Sequence, residues 1–433
     1  MRSSSTLQML RPKTVLSLSL LSPSSSARHV IYRHASGLPA AFYRGGTSKA
    51  VVFKDIDLPA DKETRSAIFR STIGSPDPHG RQLNGMGGGL SSVSKVVLVG
   101  KSSRPDADVE YTFVQVGVKD GAIDYGLTWQ AVGPFAHEQG MTDPAATDPA
   151  ASEHNTTVRI FNTNTQKVIH STFPVDPLSP RQPILDGDYA LDGVSGTGAP
   201  IKLDFVRPGG SRTGKLLPTG MAVDVISSDT VDGYSGEPIS ATIMDCGNPC
   251  VFIHASELDL DPWILPQELE KDGEMLKLLE DVRRAALVLM GLAPTMSKAA
   301  KTRSIPKVCI IGRPSTHKLI SGETLEAESA DLVVRTISSG DPHRAIPITA
   351  ALCVAAAAQV NGTLVESLFG GSAGATGGKE LVIGHPSGTI AVQAQVEQRP
   401  DGVWEAVSAG VIRTARKLFD GTVYWDAPKH ASP

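Results

Sequence analysis

The residues best suited to chemistry in this chain of 433 residues follow a glycine-rich turn. The segment runs through four glycines, three serines and one lysine: Gly85, Gly87, Gly88, Gly89, Ser91, Ser92, Ser94 and Lys95. Glycine lets a ligand approach the backbone closely, and hydroxyls beside an amine can hold an anion. The apolar, mostly β-branched residues 96–99 predict a strand directly after the lysine. Lys95 is therefore either a reactive amine beside a bound anion or a solvated residue before a strand.

Two named motifs can be tested on this segment. The nucleotide-binding Walker A motif needs Gly-Lys followed by Ser or Thr, whereas Lys95 follows a serine, so that phosphate cradle is absent. Ser92 and Lys95 do fit the Ser-x-x-Lys spacing of a serine nucleophile with a lysine base. The companion motifs Ser-Asp-Asn and Lys-Thr-Gly are missing from the chain. A serine hydrolase therefore stays an alternative.

Other turns repeat the combination of glycine, hydroxyl and cation. Residues 44–49 read RGGTSK and residues 213–220 read TGKLLPTG. Arg44 offers a planar guanidinium that suits a carboxylate. His343 and Arg344 precede an apolar helix, whose N-terminus is favourable for an anion. These turns together predict an anion pocket.

The elements that must position these residues follow from hydrophobic periodicity. Helices are predicted over residues 61–73, 127–135, 266–292 and 346–360. Strands are predicted over residues 40–43, 50–53, 96–99, 109–118, 158–161, 168–173, 201–205, 239–243, 251–253, 308–311, 332–338, 381–383, 390–396 and 404–418. Gly273 weakens the third helix, so two helices are an alternative there. The fourth is apolar all round, which predicts a buried central helix. Polar residues 138–155 and glycine-rich residues 369–379 are predicted loops.

Composition excludes several classes of function. Hydrophobic residues make up 40% and charged residues 20% of the chain, as in a globular protein large enough for two domains. The net charge of −4 gives no basis for binding nucleic acid or a membrane surface. Aromatic residues are only 5%, which argues against stacking platforms for bases. No run of eighteen apolar residues predicts a transmembrane helix.

All four cysteines lie in the second half of the chain: Cys246, Cys250, Cys309 and Cys353. The first two have a C-x3-C spacing, but no second pair of cysteines or histidines accompanies them, so a zinc site is not expected. Buried free thiols in a reducing compartment are the expected alternative.

Residues 1–37 differ in composition from the rest. They are rich in arginine and serine and contain no acidic residue; the first acid is Asp55. This composition is typical of a mitochondrial presequence, with a secretory signal or a disordered, cytoplasmic tail as alternatives. We therefore expect a leader over residues 1–37 that directs the chain to mitochondria.

Five motifs carry a resemblance to a known family. They are residues 43–49 (YRGGTSK), 84–88 (NGMGG) followed by Ser94 and Lys95, 217–220 (LPTG), 384–388 (GHPSG) and 413–416 (RTAR). In this order they resemble the PrpF family, which includes 2-methylaconitate cis–trans isomerase, fungal aconitate Δ-isomerase and 4-oxalomesaconate tautomerase. The resemblance extends over about residues 38–427.

The resemblance implies the α/β (α+β) fold of diaminopimelate epimerase. Two pseudo-symmetric domains, residues 38–220 and 221–433, would each roll a sheet around one central helix, and the C-terminal strand could return to the first domain. The active site would lie between them, with the Gly-Asn-Pro turn at Asn248 contacting substrate. The implied activity is a cofactor-independent isomerisation of unsaturated tricarboxylic acids such as aconitate or methylaconitate.

The resemblance also implies roles for individual residues. Lys95 matches the family's lysine base, with Ser94 beside it. The residues implied to bind substrate are Arg44, Gly45, Gly46, Thr47, Ser48, Lys49, Asn84, Gly85, Met86, Gly87, Ser91, Ser92, Lys215, Thr219, Gly220, Asn248, His343, His385, Ser387 and Arg413. No metal is implied. The expected partner is a small tricarboxylate, with neither nucleic acid nor membrane, and a homodimer is left open.

The chain departs from the family pattern at one catalytic motif. The family's Asn-Cys-Gly-Asn segment, which opens the first central helix, is absent. In its place, Asp124, Tyr125 and Gly126 are followed directly by residues 127–135. Asn84 also stands where the family has Asp. Either Lys95 works with another group, or the protein has a different substrate or is an accessory binding protein without activity; an error in the gene model at this segment is a third alternative.

Overall fold

A computed structural model describes residues 36–125, 130–142, 154–369 and 380–426 of the chain. The predicted mitochondrial leader lies almost wholly outside these residues. So do parts of the predicted loops at 138–155 and 369–379, and residues 127–129 of a predicted helix.

The strands of the N-terminal half begin with a hairpin. They are β1 (Ser36–Gly45), β2 (Ser48–Lys54), β3 (Lys95–Lys101), β4 (Val109–Val116), β5 (Ile123–Asp124), β6 (Asn155–Asn162), β7 (Lys167–Asp176), β8 (Ser179–Pro183), β9 (Tyr189–Ala190), β10 (Thr197–Gly198) and β11 (Ile201–Val206). β2 pairs antiparallel with β1 and parallel with β3, and β3 pairs antiparallel with β4. β6 continues the sheet parallel to β4 and is followed by antiparallel β7 and β11.

The strands of the C-terminal half follow the same order of pairing. They are β12 (Asp224–Ile226), β13 (Ile239–Cys246), β14 (Asn248–His254), β15 (Lys307–Gly312), β16 (His317–Lys318), β17 (Thr324–Leu325), β18 (Leu332–Ser338), β19 (Asp341–Pro342), β20 (Leu381–His385), β21 (Gly388–Gln398), β22 (Trp404–Arg413) and β23 (Ala415–Trp425). The β13–β14 hairpin is antiparallel, β15 is parallel to β14, and β18 is antiparallel to β15. β20 then runs parallel to β18, with β21 and β22 antiparallel beyond it.

Two helices lie on the outside of these sheets. The α-helices of the described residues are α1 (Lys62–Ile73), α2 (Val132–Glu138), α3 (Pro266–Leu269), α4 (Gly273–Leu289), α5 (Met296–Ala299), α6 (Ile348–Ala357) and α7 (Leu364–Ser367). α1 is capped by the Asp61 carboxylate, which accepts from two backbone N–H groups, and ends at Gly74 with a φ of 82°. It packs on β2 and β3, and α4 packs on β13, β14 and β15.

The other long helix, α6, is the buried centre of the C-terminal half. All ten of its residues are buried, and it contacts β13, β14, β21 and β22. The apolar composition of residues 346–360 predicted this position, because a helix without a polar face cannot lie at a surface. The α/β fold class is therefore confirmed, whereas the two pseudo-symmetric domains with a boundary at residue 220 stay a prediction.

Two predicted elements divide in the structure. The helix expected over residues 266–292 is the pair α3 and α4, because the chain turns between Leu269 and Gly273 and the Asp272 carboxylate caps the second helix. The strand expected over residues 404–418 is β22 and β23, separated by Thr414. β23 pairs with β1 along its whole length, so the C-terminal strand lies beside the N-terminal one.

Candidate active site

Lys95 is a buried amine held by uncharged groups. It opens β3, and its side chain is 7% exposed. Nζ donates to the Ser91 carbonyl oxygen and to Gln115 Oε1, both at 2.6 Å, and lies 5.3 Å from the centre of the Phe113 ring. No carboxylate pairs with it among the described residues. Burial, and secondarily the charge of Lys307, lowers the pKa of Lys95 to about 7.

The backbone around Lys95 explains how the amine is held. Residues Ser91–Val93 form a single 3₁₀ turn before β3, which directs the Ser91 carbonyl oxygen back towards the lysine. Gln115 lies directly opposite Lys95 in the β3–β4 register. Its Nε2 donates to the carbonyl oxygens of Ser91 (3.1 Å) and Ser94 (3.0 Å), so Oε1 faces the amine. Gln115 was not predicted as a site residue because it stands in an ordinary alternating strand.

Ser94 is buried and faces away from Lys95. Its Oγ is 2.7 Å from both Gln82 Oε1 and the Leu90 carbonyl oxygen. Gln82 Oε1 also accepts from the N–H of Gly89, so this buried amide ties the glycine-rich turn to the start of β3. Ser92 is partly buried, and the hydrogen bonds of the Lys95 amine go to Ser91 and Gln115 instead. This arrangement lacks the Ser92–Lys95 contact that a Ser-x-x-Lys hydrolase needs.

The glycines before Lys95 serve a close approach between backbone segments. Met86 and Gly87 donate their N–H groups to the carbonyl oxygens of Thr72 and Ile73 at the end of α1. A Cβ on Gly85 would clash with the backbone of Gly74. Asn84 is exposed and lines a cavity of about 520 Å³ at this end of α1. Asn84, Gly85, Met86 and Gly87 therefore lie against α1, and the glycines are explained by packing.

A second buried lysine was not predicted from the sequence. Lys307 opens β15, is 1% exposed, and donates to Ser338 Oγ at 2.8 Å. Burial lowers its pKa, against the raising effects of Cys250, Cys309 and Asp124. His343, which is partly exposed, follows β19; burial and the charges of Lys307 and Lys95 lower its pKa to about 3. The charge of Lys307 therefore favours the neutral forms of both Lys95 and His343.

The β1–β2 hairpin carries Arg44, another residue of the predicted site. Gly45 and Ser48 close the hairpin, and Arg44 Nη1 donates to the carbonyl oxygens of Gly46 and Thr414, both at 3.0 Å. Burial, followed by the charge of Arg416, lowers the pKa of Arg44.

Arg413 is the buried cation beside this hairpin. A Cβ on Gly46 would lie 3.3 Å from Arg413 Cδ and 3.1 Å from Gln130 Oε1, so the three residues are in close contact. The side chain of Arg413 makes one hydrogen bond within the described part of the chain, from Nη1 to the Ile412 carbonyl oxygen at 3.1 Å. Burial lowers its pKa to about 10. The rest of its guanidinium can therefore bind a carboxylate.

A histidine and two hydroxyl side chains lie near Arg413. Burial, with Arg413 and Arg335 nearby, lowers the pKa of His385 to about 3, so its ring is neutral. The ring accepts from the N–H of Ser387, whose Oγ donates to the Arg344 carbonyl oxygen at 2.6 Å. A Cβ on Gly193 would lie 3.2 Å from Ser387 Cβ and 3.8 Å from Thr47 Cγ2. Thr47, His385, Ser387 and Arg413 thus come together from three distant segments.

Other predicted site residues lie away from Arg413 or contact other side chains of the protein. Lys49 Nζ lies 5.5 Å from the centre of the Phe42 ring. Lys215 is exposed and lines a cavity of about 230 Å³ that includes Arg207 and Trp404. Residue 206 ends β11 and residue 404 begins β22, so this cavity lies at the opposite end of these paired strands from Arg413.

Thr219, Gly220 and Asn248 complete the predicted set. Thr219 donates to the Asp224 carboxylate at 3.0 Å, and Gly220 is an exposed turn residue. Asn248 is buried, and its Oδ1 has no hydrogen-bond partner among the described residues.

The four cysteines are buried free thiols, as the sequence predicted. Burial raises the pKa of Cys250 and Cys309 well above the usual range and that of Cys353 to about 11. Thiols of this kind stay protonated at neutral pH and are poor proton acceptors. Within the described residues, no three His, Cys, Asp or Glu side chains are grouped as metal ligands would be.

Two sequence relatives and one solved structure are similar to this chain over most of its length. It is 36% identical over 399 residues to 3-methylitaconate isomerase of Eubacterium barkeri, covering 90% of this chain and 98% of the relative. It is 36% identical over 396 residues to 2-methyl-aconitate isomerase of Shewanella oneidensis, covering 89% and 96%. The crystal structure of methylitaconate-delta-isomerase superposes with a TM-score of 0.70 at 33% identity, covering 92% of this chain and 99% of that one.

The prediction of mitochondrial import is wrong. The relatives named above are bacterial proteins, from organisms that have no mitochondria. A leader rich in arginine and serine is a compositional signal alone, so it is not specific to import. None of the helices in the described ranges has the length and apolar composition needed to cross a bilayer.

The family model described as PrpF protein matches residues 36–426. This match covers both halves of the sheet, both buried lysines and the hairpin that carries Arg44. The solved structure shows that the same fold accommodates a sequence of this similarity. The chain therefore belongs to the PrpF family.

Proposed function

We propose that this protein is a cofactor-independent isomerase of unsaturated tricarboxylic acids of the aconitate type, with Lys95 as its base. The observation that carries the proposal is the environment of the Lys95 amine. Its hydrogen bonds go to a carbonyl and an amide oxygen, and its pKa is lowered to about 7. A base is most effective when its pKa lies near the working pH. Relatives named as isomerases of methylaconitate and methylitaconate support the same reaction class.

The reaction begins with proton removal beside a double bond. The neutral Lys95 amine takes a proton from the allylic carbon, and the electron pair left behind delocalises over the double bond and its carboxylate. The carboxylates of the bound acid need cationic partners, for which Arg413 is suited because, within the described residues, its guanidinium makes a single hydrogen bond, from Nη1. If a proton returns to the far carbon, the double bond moves. If the delocalised intermediate rotates before a proton returns, the cis isomer becomes the trans isomer.

The experiment is proton exchange followed by NMR. The purified full-length chain is incubated in D₂O with cis-aconitate, 2-methylaconitate and 3-methylitaconate in turn. We expect deuterium at the allylic position of cis-aconitate or 2-methylaconitate, together with the isomer of that acid; conversion of 3-methylitaconate alone, which has two carboxyl groups, would contradict the proposed tricarboxylate substrate. Binding of an acid without exchange or isomer formation would contradict the proposal.

That outcome would favour a second candidate, an accessory protein that binds aconitates without converting them. One observation favours it: the Asn-Cys-Gly-Asn segment is absent, and the N-terminal half has no cysteine. Equilibrium binding of the same three acids, measured by calorimetry, separates the two candidates.

A further inference from the structure

The pairing of strands around Lys95 is repeated around Lys307. In the N-terminal half, β2 of a hairpin runs parallel to β3, with Val51 opposite Val96. In the C-terminal half, β14 of a hairpin runs parallel to β15, with Val251 opposite Val308. Each lysine directly precedes the registered valine and opens its strand. The two amines thus occupy equivalent positions in the two halves.

The next strand supplies an equivalent neutral partner. β4 is antiparallel to β3 and places Gln115 opposite Lys95, and Gln115 Oε1 accepts from that amine. β18 is antiparallel to β15, and the register of Val308 with Ile337 places Ser338 opposite Lys307. Ser338 Oγ accepts from the Lys307 amine at 2.8 Å. Both lysines are therefore buried against an uncharged acceptor on the neighbouring strand.

The groups facing Lys307 leave its amine suited to proton transfer. Cys250, Cys309 and Asp124 favour its charged form, and burial opposes them with the larger effect. No salt bridge to Lys307 exists among the described residues. The charges of Lys307 and Lys95 both lower the pKa of His343, and the charge of Lys307 also lowers the pKa of Lys95. The thiols are buried and protonated, so they do not compete with Lys307 as bases.

We propose that Lys307 is the second proton-transfer residue of this isomerase, taking the place of the absent family cysteine. This inference rests on the proposed function. In one direction, neutral Lys95 breaks the allylic C–H bond and gains the proton, and the electron pair shifts through the allyl system. The Lys307 ammonium then gives a proton to the far carbon, where a C–H bond forms. Lys95 ends protonated and Lys307 neutral, and exchange with water restores both.

The experiment separates the two half-reactions by deuterium exchange. It uses whichever of the three acids the wild-type chain converts, with the variants Lys95→Met, Lys307→Met and Lys307→Arg and the control Lys101→Met, at the exposed end of β3. Each variant is incubated in D₂O, once with the substrate and once with the product. Circular dichroism checks the folding of each variant. Lys307→Arg keeps the positive charge, so it serves as the test variant if Lys307→Met fails to fold.

Starting from the substrate, both Lys307 variants are expected to retain allylic exchange within about threefold while product formation falls roughly a hundredfold. Lys95→Met is expected to lose both. Starting from the product, the Lys307 variants lose exchange and Lys95→Met keeps it.

A side chain that only supports the structure would lower exchange equally from both directions, and that result would overturn the proposal. So would Lys307→Arg forming product at near the wild-type rate. Absence of exchange in the wild-type chain would instead remove the proposed function, and this inference with it.

Discussion

The Nζ atom of Lys95 lies 2.6 Å from Oε1 of Gln115, directly across the β3–β4 pair. An amide oxygen accepts a hydrogen bond from either the charged or the neutral amine, whereas a carboxylate at this distance would hold the proton on the lysine. The neutral partner and the burial of the side chain together leave a substantial fraction of Lys95 unprotonated near pH 7. A lysine can act as a base at neutral pH only in such surroundings.

Gln115→Glu tests the importance of this neutral partner. A carboxylate beside the amine favours the ammonium form, so the pKa of Lys95 rises, by roughly one unit or more. The acid limb of the pH profile of kcat/KM then moves to higher pH, and activity at pH 7 falls about tenfold and recovers at alkaline pH. An equal loss at every pH would show that Gln115 has another role.

Lys95→Arg and Lys95→Ala distinguish a base from a carboxylate anchor. Arginine keeps the positive charge but does not deprotonate in proteins. If Lys95 removes the proton, both variants lose roughly a hundredfold or more in kcat. Steady-state kinetics provide the measurement. An arginine variant with near wild-type kcat, alongside an alanine variant with only a raised KM, would leave Lys95 as an anchor.

The lowered pKa of Lys95 also has a consequence for stability. The folded chain releases this proton near pH 7, whereas the unfolded chain keeps it to about pH 10.4. Between these values the unfolded state binds more protons, so stability rises with pH, by at most about 1.4 kcal/mol per pH unit. Lys95→Met lacks this contribution. We expect Lys95→Met to have a higher free energy of unfolding in urea than the wild-type chain, by a difference that is largest near pH 7 and shrinks towards pH 10. A difference independent of pH would contradict the lowered pKa.

Ser94→Ala is expected to change stability more than catalysis. The Ser94 hydroxyl is buried against Gln82 Oε1 and the Leu90 carbonyl oxygen. Its removal costs about 1 kcal/mol of folding stability, since Gln82 still accepts from Gly89. Thermal unfolding and kcat are measured together, with Ser92→Ala as the matched control. A hundredfold fall in kcat without loss of stability would instead make Ser94 a catalytic residue.

Local sequence features predicted the elements of this fold better than its site. The hydrophobic pattern of residues 61–73 predicted α1, and the unbroken apolar run predicted α6, because such patterns act within a few residues of the chain. Lys95 was found through its glycines and hydroxyls. Those glycines pack against α1, so part of the pattern that singled out Lys95 is explained by packing.

The missed residues depend on the register of distant strands. Gln115 is one polar residue in an alternating strand, and nothing in its surroundings shows that it faces Lys95 from twenty positions away. Lys307 follows Pro306 and precedes an apolar run, which reads as a solvated lysine before a strand. Only the pairing of β14, β15 and β18 shows that it is buried. Register between strands is set by tertiary packing, which a local pattern does not contain.

Arg413→Lys tests the carboxylate site. Lysine keeps the charge but lacks the planar fork that binds a carboxylate through two hydrogen bonds. Most of the Arg413 guanidinium is without a protein partner within the described residues, so the substrate is expected to supply one. Loss of a charge-assisted hydrogen bond corresponds to roughly a tenfold or larger rise in KM, with kcat changed much less. The matched control is Arg416→Lys, an exposed arginine three residues along, for which KM is expected to stay constant. A fall in kcat with unchanged KM would place Arg413 against the transition state rather than the bound acid.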